Sequence, residues 1–259
     1  MPKFAANLLM LFTELPFLER FEAAAAAGFP AVEYLFPYEH PKDKIADRLR
    51  SAGLVQALFN MPPGDWAAGE RGLASLAGRE KDFRAGVDTA LEYAVALDCT
   101  RLHAMAGISP ESDVATAVYV ENIRYAADRA ADAGVSILIE PINRRDMPGY
   151  FLGSVAQALP LLDEIDRDNV ALQLDLYHAQ ITDGDITRLV QKTISRVAHV
   201  QIASVPERHE PDGGELYYPY VLAALDDAGY DGWVGCEYHP AGDTRDGLAW
   251  LQDYPQSER

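Results

Sequence analysis

Short apolar runs alternate with amphipathic stretches along the whole chain. Residues 4–8, 31–35, 54–60, 100–105, 135–140, 170–175, 197–202 and 232–237 read as strands. The run at 135–140 is rich in β-branched residues and lacks the polar alternation of a half-exposed strand, so it reads as buried on both faces. Helical segments fall between the strands, at 16–27, 42–52, 113–133, 154–165, 186–194, 217–228 and from 244 to about 251. One more helix carries Phe83, Val87, Ala90, Leu91 and Ala94 at i, i+4, i+7, i+8 and i+11, an apolar stripe. Gly28, Gly53, Gly134 and Gly229 follow helices directly, where a left-handed residue closes the last turn. Repeated βα units in one domain-sized chain predict an α/β fold of the (β/α)8 TIM-barrel type. A doubly wound sheet fits less well, because no Gly-rich phosphate turn follows the first strand. No linker or composition break divides the chain, so one barrel domain over residues 1–259 is expected.

Composition narrows the function classes. The formal net charge of −18 would repel a nucleic-acid backbone over most of the surface. Cys99 and Cys236 are too few for a disulfide framework and fit a reducing compartment. The apolar opening segment is broken by Asn7 and followed by Glu14, with no small-residue cleavage site, so it reads as the first strand and not as a signal peptide. No stretch is long enough to span a bilayer. A cytoplasmic enzyme with a small-molecule partner is expected, with self-association left open.

The chemistry concentrates at the strand ends. The fifth run ends in Glu140, followed at once by Pro141, which favours extended geometry before it and stops pairing beyond it. The sixth ends in Asp175, the seventh near Gln201 and the eighth in Glu237. Strand side chains alternate faces, and the opposite parity is almost wholly apolar: Ile137 and Ile139, Leu172 and Leu174, Val200 and Ile202, Val234 and Cys236. Those residues suit the layer beneath the helices, which turns the tip residues toward the barrel axis at the C-terminal rim, where barrel active sites lie. Three carboxylates converging there call for a cation. With Gln201 offering an amide oxygen, the donors are all oxygens, which suits Mg²⁺ or Mn²⁺ better than Zn²⁺. Carboxylates beside such an ion suit proton abstraction next to a carbonyl.

Lesser candidates surround this set. His178 lies one turn beyond Asp175, within reach of a substrate near the metal. Arg208, on the loop after Gln201, could clamp a carboxylate. The connection at 61–78 is long for a βα loop, and its Trp66 is placed to exclude water. Asn60 and His103 end the third and fourth strands and point to the same rim. His199 has the inward parity but lies a layer lower, as a core histidine would.

Four segments carry a resemblance: Asn60-Met61-Pro62-Pro63-Gly64-Asp65-Trp66-Ala67-Ala68-Gly69-Glu70-Arg71-Gly72, Ile139-Glu140-Pro141-Ile142-Asn143, Asp175-Leu176-Tyr177-His178 and His199-Val200-Gln201-Ile202-Ala203. They resemble the hydroxypyruvate isomerase family of xylose-isomerase-like TIM barrels, whose relatives include ketose 3-epimerases and endonuclease IV-type enzymes. The resemblance implies Glu140, Asp175, Gln201 and Glu237 as metal ligands, with Glu140 and Glu237 as the acid/base pair. Gln201 stands where the sugar epimerases usually have histidine, which favours the isomerase branch; Ser204-Val205 departs from the Asp-Asn usual there. The activity implied is interconversion of hydroxypyruvate and 2-hydroxy-3-oxopropanoate. A 2-oxo-tetronate isomerase, a ketose 3-epimerase and a non-catalytic sugar-acid binder are the rivals. An abasic-site endonuclease would need a basic face and a histidine-rich metal cluster.

Overall fold

A computed structural model describes residues 2–254. Its eight strands are β1 (Lys3–Asn7), β2 (Ala31–Tyr34), β3 (Val55–Asn60), β4 (Arg101–His103), β5 (Ser136–Ile139), β6 (Val170–Asp175), β7 (Val197–Ile202) and β8 (Trp233–Cys236). Each pairs in parallel with the next, and β8 pairs with β1, closing the barrel. Around it lie α1 (Arg20–Ala26), α2 (Lys42–Ala52), α3 (Glu80–Leu97), α4 (Asp113–Ala131), α5 (Val155–Ile165), α6 (Leu176–Thr182), α7 (Ile186–Thr193) and α8 (Tyr218–Asp227). This is the (β/α)8 barrel that the alternation of runs predicts. Among the described residues no helix is long and apolar enough to cross a membrane.

Alternation of side chains divides the interior in two. Ile137, Ile139, Leu172, Leu174, Val200, Ile202, Val234 and Cys236 all join the large core beneath the helices. On the other face, Ala5, Ala31 and Ala57 form a separate small cluster with Val55 and Trp233. Small residues fit there because strands converge and space inside the barrel is limited. Above them the lumen is polar and still buried, with Asn7, Glu33, Gln173, His199 and Gln201 each almost wholly inaccessible. Two register shifts, between Val32 and Glu33 and between Leu172 and Gln173, fall beside these polar residues. A bulge re-aims the side chain next to it, and both here serve the lumen network.

The departures from expectation are local. The segment after β6 forms α6, because the Asp175 carboxylate accepts the Tyr177 N–H (2.8 Å) and caps a helix at once. The last helix is a 3-10 helix, Asp246–Asp253, which starts without a side-chain cap and sets Trp250 edge-on to Phe4 at 5.1 Å. In α3 the stripe of Phe83, Val87, Ala90 and Ala94 is buried, whereas Leu91 is only partly covered.

Candidate active site

Glu140 and Glu237 each follow their strand by one residue, and Asp175 ends β6. All three are buried at the C-terminal rim. Removing carboxylates from water favours their neutral form, and neighbouring charges add to this. Burial raises Glu140 well above the ordinary carboxyl range, with the charges of Glu237 and then Asp175 pushing in the same direction. Burial also lifts Asp175 to about 6 and Glu237 to about 8, in each case against the opposing pull of Arg208.

Arg208 is the cation within this group. Its Nη2 donates to Glu237 Oε1 (2.9 Å) and Asp175 Oδ2 (3.4 Å), and its guanidinium lies 4.8 Å from the Tyr177 ring centre. The loop-borne arginine of the sequence thus reaches into the acidic cluster, its side chain 17% exposed. The backbone holds it there at φ +58, a conformation rare outside glycine, fixed by Arg208 N–H to the Ser204 carbonyl (2.9 Å) and His239 N–H to the Arg208 carbonyl (2.8 Å). Arg208 Nε is buried without an acceptor.

The histidines approach from two sides. His103 Nδ1 is 3.3 Å from Glu140 Oε2, without hydrogen-bond geometry, and both its ring nitrogens lack partners. Burial, aided by the nearby His199, lowers His103 to about 3, so the contact is not an ion pair. His178 Nε2 faces Asp175 Oδ2 at 3.5 Å and Glu140 Oε1 at 4.0 Å. Burial, then Arg208 and His103, hold His178 neutral.

Gln201 is drawn into a network below the rim. Its Oε1 accepts from Gln173 Nε2 (2.7 Å), and its Nε2 donates to Glu33 Oε1 (2.9 Å) and to Glu237 Oε2. An amide beside two carboxylates is most stable as their donor, so the oxygen expected to face a metal faces Gln173 instead. Gln173 Oε1 is buried without a partner, an acceptor ready for the reversed arrangement of both amides. Glu33 is the residue that sequence reasoning missed. It also accepts from Asn7 Nδ2 (3.1 Å) and His199 Nε2 (2.6 Å). Gly235 makes room for it, since a Cβ there would come within 2.2 Å of Glu33 Oε2. The signal was a carboxylate of inward parity inside an apolar strand. His199 is buried in the lower layer with Nε2 bonded to Glu33, while its buried Nδ1 has no partner.

Asn60 is buried at the end of β3, and Trp66 lies on the long loop that follows it. The Asn60 carbonyl accepts the Tyr38 hydroxyl (2.7 Å), tying the end of β3 to the loop after β2. Trp66 is 38% exposed, packed on Phe36 at 5.1 Å between ring centres and covered by Arg71 at 3.9 Å. The 61–78 loop is held by paired Glu70 and Arg79.

Whether the cluster suits a cation is decided by its own atoms. Ligand atoms of Glu140, Asp175 and His178 lie within 4.8 Å of one another, and all three residues are buried. Glu140 Oε1 is buried with no hydrogen-bond partner, an unmet acceptor at the centre of the cluster. Carboxylates whose protonation is favoured by mutual repulsion and burial gain most from a positive ion. The residues therefore fit a divalent cation.

Comparison with known proteins agrees with the fold. A family description of xylose isomerase-like TIM barrels matches residues 21–254. The chain is 54% identical to the 2-oxo-tetronate isomerase of Cupriavidus necator over 98% of this chain and 99% of that one. It is 43% identical to the hydroxypyruvate isomerase of Escherichia coli over 98% of this chain and 100% of that one. A solved structure described as an AP endonuclease, family 2, from Brucella melitensis superposes with a TM-score of 0.97 at 57% identity, covering 98% of this chain and 100% of that one. With the closed barrel and its acidic rim, these matches place the chain in the xylose isomerase-like TIM barrel family.

Proposed function

We propose that the protein is an isomerase of short hydroxy-oxo acids that interconverts hydroxypyruvate and 2-hydroxy-3-oxopropanoate. The observation that carries this reading is the pairing of two buried glutamates, Glu140 and Glu237, on different strands of one rim, each with its pKa raised. A carboxylate with a raised pKa is a stronger base once ionised, and two of them can serve both ends of a proton transfer. One glutamate takes a proton from the hydroxymethyl carbon of hydroxypyruvate, leaving an enediolate. The other delivers a proton to the adjacent carbon, and the hydroxyl proton of the first carbon passes to the neighbouring oxygen. Atoms and charge balance, and no oxidant is needed. The partnerless Glu140 Oε1 leaves one oxygen of that residue free for proton transfer.

Glu140, Asp175 and Glu237 would hold a divalent ion, Mg²⁺ or Mn²⁺ by their hard oxygen donors, with Gln201 joining if its amide reverses. Bound there, the ion would supply Lewis-acid polarisation of substrate oxygens. Arg208 answers the need of an acid substrate: its buried Nε–H has no acceptor, and a substrate carboxylate would satisfy it. His178 Nε2 lies close enough to the carboxylates to meet a substrate oxygen. Asn60, His103 and Trp66 complete the wall of the substrate space in this reading.

A four-carbon 2-oxo-tetronate is the second reading. It is favoured by the higher identity to the Cupriavidus necator enzyme, 54% against 43% for the hydroxypyruvate isomerase of Escherichia coli. The chemistry is unchanged, because the extra carbon lies beyond the enediol. Turnover of both acids and of a neutral ketohexose, in heavy water and with or without chelator, tests the proposal. Expected are acid turnover with solvent deuterium entering the product carbon, loss of activity on chelation, and its return with Mg²⁺ or Mn²⁺. Glu140→Gln and Glu237→Gln should each lose at least 10²–10³-fold in kcat while remaining folded. A ketohexose turned over as fast as the acids would sink the acid-specific reading. Near-parental activity in either variant would remove that glutamate from the proton path.

A further inference from the structure

Asn143 stands three residues beyond Glu140, in the loop that leaves β5, and its side-chain bonds are fixed by partners whose roles are not in question. Its Oδ1 accepts the backbone N–H of Asp146 (2.9 Å), a group that only donates. The other end of the amide is therefore the amino group. That group lies 3.2 Å from Asp146 Oδ2 and 2.7 Å from His178 Nδ1. Asp146 Oδ2 also accepts the Tyr177 hydroxyl (2.6 Å), and Arg145 Nε is 3.4 Å from Asp146 Oδ1, so this carboxylate acts as an acceptor throughout.

An amide nitrogen has no lone pair to offer, so Nδ1 of His178 must accept the Asn143 proton. A neutral imidazole then carries its own proton on Nε2. That nitrogen is the one turned toward Asp175 Oδ2 and Glu140 Oε1. Asn143 and His178 are both buried, so water does not compete for either end of the bond.

We infer that Asn143 is a positioning residue that locks His178 as the Nε2–H tautomer, making His178 a hydrogen-bond donor to the substrate and keeping it out of the metal's ligand set. The role toward substrate rests on the isomerase reading above; the tautomer does not. Proximity alone would admit His178 as a ligand, since its ring nitrogen lies within 4.8 Å of the Glu140 and Asp175 oxygens. A nitrogen that bears a proton has no lone pair for a cation. What it offers instead is an uncharged donor beside the carboxylates, placed to stabilise an oxygen that gains negative charge during enolisation.

Long-range proton–nitrogen NMR correlations of the labelled protein read the tautomer directly, with the His178 signals assigned by their loss in His178→Asn. The expected pattern is a pyridine-type Nδ1 and a pyrrole-type Nε2, unchanged when Mg²⁺ is added. In Asn143→Asp the new carboxylate accepts from Nδ1–H, so the pattern should reverse. Activity toward hydroxypyruvate should then fall about 10- to 100-fold in kcat/KM, mostly through kcat, with the fold retained. Asn143→Ala, which imposes neither tautomer, should show a mixture of the two patterns. A wild-type Nδ1–H pattern, or loss of the Nε2 proton on adding Mg²⁺, overturns the inference whether or not the variants fold. An unreversed pattern in a folded Asn143→Asp overturns it equally. Failure of all acid turnover with the expected tautomer intact would instead refute the isomerase reading alone.

Discussion

Glu33 accepts three hydrogen bonds from side chains of two other strands, those of Asn7 on β1 and of His199 and Gln201 on β7. A glutamine there has one acceptor oxygen and an amino group that would face other donors. Glu33→Gln should therefore leave buried donors unpaired, at a cost of about 1–3 kcal/mol each, read as a fall in the denaturant midpoint. The same change should release the Gln201 amide and lower divalent-ion affinity; an unchanged midpoint would show that the network bears no strain. The rim acids make a second prediction. Their pKa values are raised by folding, so the unfolded chain gives up these protons at lower pH, and raising the pH favours unfolding. For Asp175 and Glu237, stability in chelator is fully present below the ordinary values of 3.8 and 4.5 and is lost as pH rises through about 6 and about 8. Thermal melts across that range check the sign, and saturating Mg²⁺ should flatten the slope.

At the scale of the element, the short helix α6 joins architecture to chemistry. Asp175 both ends β6 and caps α6, so one residue fixes the helix start and one side of the rim. Asparagine caps about as well as aspartate, whereas alanine does not. Asp175→Asn should keep its helix content and stability while losing at least tenfold in divalent-ion affinity, whereas Asp175→Ala should lose that affinity and about 1 kcal/mol of stability besides. Equal ion affinity in Asp175→Asn and the parent would remove Asp175 from the ligand set. The sequence pattern did not disclose α6, because its seven residues are too few to show a helical period. The strands were legible for the opposite reason. Strands buried on both faces are unbroken apolar runs, and parity then assigned Glu140, Asp175 and Glu237 to the rim.

For the whole molecule, closure of β8 onto β1 brings tips that are far apart in sequence onto one ring. A cation bound there acts on the folded state alone, so it should stabilise by about 2.7 kcal/mol at a hundredfold excess over its Kd. Titration of the chelated protein with Mg²⁺ or Mn²⁺ should raise the melting temperature, and the rise should vanish in Glu140→Gln combined with Glu237→Gln. A rise that survived in that double variant would place the ion elsewhere.

Periodicity and residue type alone determined the alternation of strands and helices, the closed barrel, the inward parity of four strand ends and the acidic character of the rim. These are properties of neighbours along the chain, and the backbone's fixed periods make them readable. The tertiary structure decided what depends on distances across the barrel. It set Arg208 among the carboxylates, turned the Gln201 amino group toward Glu33 and Glu237, and set Asn143 against His178. Glu33 and Gln201 are 168 residues apart, and their hydrogen bond exists only because the sheet closes. Which end of an amide or imidazole faces a partner is a matter of ångströms and angles, and no local pattern in the sequence encodes it.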